Sequence, residues 1–388
     1  MKQILALILF GISYSYGYDY KTDVKVSQIG YSDFSDETLL SGNTKVGFNN
    51  EVFATNLNIE YLYSTQYDKR RYIMLNELYL RKEYQAYSLS LGKMIKFWGE
   101  MEGYNFVDIF NQKNYLYDPF DKGKKLGAWA FSASKYINNN AIEFNVKFHE
   151  EDQKFPNESF PYYPFPIVYS SKLRLSDSEY QPTFYLTYNF STDAYIESET
   201  KLIVSLGYDN KRYFIPINQT LLSQFAYRVN KYLFLSNIVY DDMIIKMEAA
   251  YTDVNDDQSV SDYYQFAFGG EKTFYDVFGA DLSVYCEYYR YGYTENKLEN
   301  VDVSEIYNND LFLALKLNFN DTGDTEIKSG IFLDLDNQET VFKIETKSRI
   351  KDSFVISGEL LRILPKDNTL LSSFGKHTRA LIGLSYTF

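Results

Sequence analysis

Cysteine is nearly absent. Cys286 stands alone, so no disulfide can form within the chain and stability has to come from hydrogen-bonded architecture or burial. A single thiol on an extended strand reads as a small apolar side chain. Histidine is almost as scarce, with only His149 and His377. Histidine-assisted hydrolysis needs a neutral-pH proton acceptor beside a nucleophile, and neither histidine has a serine and acid set around it, so no enzymatic activity and no catalytic residue is expected. His149 is followed by Glu150 and Glu151, but neighbouring residues of an extended chain point to opposite sides. The acids from Asp253 to Asp257 read as a solvated turn. No metal is expected, and no cofactor, because no phosphate-cradling glycine loop or dinucleotide fingerprint occurs.

An excess of positive charge is also missing. A net charge of −13 excludes nucleic acid and argues against binding anionic lipid through a basic surface. Long apolar runs are missing too, beyond the one from Ile4 to Ile12. That run follows Met1-Lys2-Gln3 and ends in the small residues of Ser13 to Gly17, and it is shorter than the roughly 20 residues of a spanning helix. Residues 1–17 are therefore expected to be a secretory signal peptide, with the mature chain starting at Tyr18.

Aromatic residues are what the chain has in plenty, with 39 Tyr and 30 Phe among 388 residues. Tyrosine suits an interface where a ring meets apolar matter and a hydroxyl meets water. The recurring pattern is two-residue alternation over about ten residues, broken by Asn, Asp and Gly turns. Leu311, Leu313, Leu315, Leu317 and Phe319 share one face of such a segment, opposite Ala314, Lys316, Asn318 and Asn320. Ala280 to Tyr288 and Ile245 to Tyr251 alternate in the same way. Polar faces that carry both signs of charge fit a barrel with lipid outside and water inside. The expected fold is thus all-β, a transmembrane antiparallel β-barrel over residues 18–388, built as one domain. Allowing roughly 22 residues per strand and its connections gives about 16 strands (14–18). The uncertain stretch lies between Pro216 and Tyr240, where one strand and a hairpin are hard to separate.

A closed barrel has no free edge, so the last strand has to pair with the first and show apolar residues outward. Ala380, Ile382, Leu384, Tyr386 and Phe388 share one parity, as closure requires. The end of the chain also resembles the C-terminal assembly signal of bacterial outer-membrane barrels, with Gly383, Tyr386 and Phe388 matching and Leu381 standing where a polar residue is usual. The resemblance implies the outer membrane of a Gram-negative cell, with outer-membrane lipid and the barrel assembly machinery as partners.

Alternation fails from Leu91 to Asp121, the stretch LGKMIKFWGEMEGYNFVDIFNQKNYLYDPFD. An inward-folded segment near 97–123 would bring Trp98, Glu100, Glu102, Asp108, Asp118 and Asp121 to a pore constriction, and charged constrictions set selectivity. Gly92, Trp98, Gly99, Glu100, Asp108, Asn111, Asp118 and Asp121 resemble the signature of a porin-like outer-membrane family with no established substrate. Gln112 departs from it where a proline is usual. A second irregular stretch, near 149–172, interleaves Pro156, Pro161, Pro164 and Pro166 with aromatic rings and reads as a long external loop.

Placing the apolar parity outward puts Arg81, Lys246, Glu248, Asp281, Glu287, Lys316, Lys343 and Glu345 on the lumen wall, with Lys328, Asp334, Lys347 and Glu359. The interior is then watery, and the expected function is passive diffusion of small hydrophilic solutes or ions. The alternatives are a non-conducting barrel that binds a partner through its aromatic loop, and a hydrolase barrel. Homotrimer and monomer both remain open.

Overall fold

The computed structural model describes residues 18–49, 52–176, 181–193, 196–255, 259–294, 306–351 and 353–388. The expected signal peptide, residues 1–17, lies outside them. Among the described residues the chain forms one 18-stranded sheet and a small three-stranded sheet. The strand number corrects the expected 16. The allowance of 22 residues per strand was too generous, because half of the connections are tight. Several are two residues long, such as 138–139, 241–242 and 278–279.

Every neighbouring pair in the large sheet is antiparallel, and the sheet closes on itself. Tyr18–Tyr31 pairs with Thr378–Thr387, from Asp23 opposite Thr387 to Tyr31 opposite Arg379. The last residue is included: Thr22 N–H donates to Phe388 O at 2.9 Å and Phe388 N–H returns to Thr22 O at 3.1 Å. The terminal backbone groups are therefore paired like those of the rest of the wall, and the sheet leaves no free edge there.

Parity follows the expectation. Ile382, Leu384 and Phe388 are exposed on the outer wall, as are Val26, Leu313 and Leu315, while Ser27, Glu287 and Arg379 are turned inward and buried. The tight turns, Tyr18 and Phe388 share one rim. The long connections, 95–127, 148–182 and 209–227, share the other. The doubtful stretch after Pro216 holds both possibilities in series: Tyr213–Asn218 and Leu221–Ala226 form a hairpin, and Arg228–Tyr240 is a wall strand. The hairpin lies outside the barrel sheet. Together with Val168–Leu175, which runs parallel to Leu221–Ala226, it makes the small sheet at the long-connection rim.

Candidate functional site

The segment 95–127 leaves the wall after Met94 and rejoins it at Ala128, between the strands Tyr87–Met94 and Ala128–Ile137. Gly92 prepares the departure. Its φ of +140° is a backbone state that favours glycine, and a Cβ there would lie 2.2 Å from Leu78 O. Asn111 clamps the base of the segment. Its Nδ2 donates to Met94 O at 3.0 Å and Leu126 O at 2.9 Å, and its Oδ1 accepts from Lys96 N–H at 2.8 Å. Asp108 accepts from Trp98 N–H at 3.2 Å and pairs with Lys125. Gly99 lies so close to Asn105 that a Cβ would meet its Oδ1 at 2.3 Å. The Trp-Gly-Glu, Asp and Asn residues that carry the family resemblance thus hold the segment's own fold.

Two wall carboxylates hold the segment across the lumen. Glu248, fully buried on Met243–Asn255, accepts Glu100 N–H at 2.7 Å and Phe106 N–H at 2.9 Å, with Met101 N–H at 3.3 Å. Glu287, on Ala280–Tyr293, accepts Glu102 N–H at 2.7 Å and Gly103 N–H at 2.8 Å. Tyr289 supports it, accepting Tyr104 N–H at 3.0 Å while donating to Glu287. Backbone N–H groups that leave regular structure need acceptors when buried, and the carboxyl oxygens of Glu248 and Glu287 supply them. Parity alone placed Glu248 and Glu287 in water. The structure makes them anchors.

The acids of the segment are matched as well. Glu102 pairs with Lys328, and burial, which opposes its ionisation, is outweighed by Lys122 and Lys328, so its carboxyl sits below the usual range. Asp118 pairs with Arg379 at 2.7 Å, and there too the guanidinium outweighs burial. Burial pushes Asp121 up, assisted by Asp118, and pushes Asp108 up in spite of Lys125. Glu100 accepts from Asn237 Nδ2 at 2.7 Å. Trp98 departs from the expected constriction: it is 3% exposed and packs edge-on against Phe110 and Tyr185, so it faces the wall and not an aperture.

The aromatic loop is turned inward at the rim. Phe155 stacks on Tyr115 at 4.5 Å and meets Phe165 and Tyr169, while Phe160 and Tyr162 are buried against Tyr31. Beneath it Glu150 is fully enclosed between Lys147 and Arg212. His149 contacts Glu151 at 3.4 Å and His377 contacts Asp33 at 3.4 Å.

Along the wall, Lys246 pairs with Glu271, Lys316 with Glu326, and Lys343 with Glu345 and Glu359. Arg81 pairs with Glu83 near the tight-turn rim. Asp281 shares the inward parity but sits beside the turn, where it accepts Asp276 N–H at 3.0 Å. A cavity of about 1050 Å³ runs from Phe165 and Arg212 at the long-connection rim, past Asp118 and Lys122, to Lys316 and Lys347 near the opposite rim. Ten basic and seven acidic side chains face it, a net of three positive charges. Lys25 and Arg379 were passed over in the sequence, although both share the inward parity of their strands.

No known family model matches the chain, and no curated protein matches it. Among solved structures it is similar to OccK11 (OpdR) of Pseudomonas aeruginosa, with a TM-score of 0.57 and 8% identity over 96% of each chain. It is also similar to OccK10 (OpdN) of Pseudomonas aeruginosa, with a TM-score of 0.54 and 9% identity over 96% of this chain and 99% of that one. OpdO of the same organism gives a TM-score of 0.54 and 9% identity over 96% of this chain and 97% of that one. At such identities the likeness is one of fold, the closed antiparallel barrel.

Proposed function

We propose that the chain is a porin-like channel of the outer membrane through which small hydrophilic solutes or ions diffuse. The observation that carries this reading is the charged cavity running between the rims inside a wall whose outer face is apolar. An apolar belt belongs in lipid and a charged lumen belongs in water. The inserted segment narrows that lumen: Glu102, Asp118 and Asp121 line the cavity together with Lys122, and Glu100 lies on its tight-turn side. Five acids of the segment, taken by themselves, would favour cations. Because Asp108, Glu102 and Asp118 are matched by Lys125, Lys328 and Arg379, the positive balance of the cavity decides the sign, and anions pass more readily than cations. Gly383, Tyr386 and Phe388 lie on the strand that the assembly machinery would read.

The test is single-channel recording of the folded protein in a planar bilayer under a KCl gradient. Discrete steps with an anion-selective reversal potential are expected. A folded barrel without steps overturns the channel, and a cation-selective potential overturns the role given to the basic lining.

A further inference from the structure

A second cavity, of about 560 Å³, lies on the other side of the inserted segment. It is lined by Glu197 and Glu199 at the start of the strand Glu197–Tyr208, by Lys246 beyond the turn 241–242, and by Glu100, so it opens toward the tight-turn rim. Four carboxylates and two lysines face it, a balance opposite in sign to that of the main cavity. Glu102 and Lys122 line both spaces. Lys122 Nζ donates to Met101 O at 3.2 Å and to Glu102 O, so its ammonium caps two backbone carbonyls that a passing cation would otherwise meet. A lysine ammonium is a compact, strongly hydrated point charge on a flexible stem.

We infer that the lumen is forked, and that Lys122 is a tethered cation closing a second, cation-favouring exit beside the main path. This rests on the channel reading. The main path runs along the strands from Asn309–Asn318 to Phe354–Leu364, and the closed branch runs along Glu197–Tyr208 and Met243–Asn255. Removing the ammonium joins them and adds an acidic route in parallel.

The test compares wild type with Lys122→Met and Lys122→Arg in planar bilayers. Wild-type steps establish the channel independently of the fork. Lys122→Met is expected to raise conductance, as an added parallel route would, and to move the reversal potential toward cations. Lys122→Arg keeps both at the wild-type values. Lys122→Cys in a Cys286→Ser background guards against misfolding. Once the channel conducts, an aminoethyl methanethiosulfonate transfers its aminoethylthio group to the thiol with release of methanesulfinate, restoring a cation at that position. Closure of the added conductance by this reagent, and not by its sulfonate-bearing counterpart, supports the fork. Unchanged conductance and selectivity in both Lys122→Met and Lys122→Cys overturns it, and so does an added conductance that both reagents affect equally.

Discussion

At the scale of single residues, the parity of a strand says which way a side chain points and nothing about what meets it there. Glu248 and Glu287 illustrate the gap. Both were legible as inward acids on alternating strands, yet their acceptor oxygens meet backbone N–H groups of a segment more than a hundred residues earlier, a contact that no local pattern encodes. Each buried N–H left without its acceptor costs about 1–3 kcal/mol, so the pair holds the segment firmly across the lumen. In Glu248→Gln combined with Glu287→Gln, each amide offers a donor where an acceptor is needed. The expected outcome is a barrel that still resists heat, with noisier channel current and proteolysis at Lys113, Lys122 and Lys124 faster by about tenfold or more. Equal cleavage rates in variant and wild type would remove these two residues from the anchoring.

Among the elements, the irregular stretches were legible as interruptions and not as shapes. Lost alternation from Leu91 to Asp121 announced that the chain leaves the wall. Its inward course follows from Asn111, Asp108 and the wall carboxylates acting together, and that geometry requires the closed barrel around it. The proline-rich stretch announced an external loop, and the rings that seemed available to a partner are spent on one another: Phe155 on Tyr115, Phe165 on Phe214. Since Phe155 and Phe165 also line the main cavity where it reaches the rim, the loop acts as a partial cover. Replacing both phenylalanines by alanine removes packing worth about 3–5 kcal/mol for a buried ring such as Phe155 and less for the half-buried Phe165, but the loss falls on the cover and leaves the wall's hydrogen bonds intact. Higher single-channel conductance with an unchanged heat-induced mobility shift is expected. A variant whose barrel melts along with the loop would show that the cover and wall are one cooperative unit.

For the whole molecule, closure is the feature that sequence and structure share most completely. The terminal strand could be assigned because a membrane leaves no edge unpaired, and the register from Asp23–Thr387 to Tyr31–Arg379 realises it. Strand number was less legible, because two-residue turns leave almost no mark between long alternating runs. The same closure fixes a global inside and outside, and Cys286 reports on it without any engineering. It is exposed on Ala280–Tyr293, pointing opposite to the buried Tyr285 and Glu287, beside Gly270 and Leu313 on the neighbouring strands. If the outer wall meets lipid, a maleimide on an alkyl chain reaches this thiol in the reconstituted protein, and a membrane-impermeant charged maleimide reaches it only after the barrel is unfolded. Rapid labelling of the native protein by the charged reagent would place Cys286 in water and reverse the assignment of the two faces for every strand, because neighbouring strands fix one another's parity around the closed sheet.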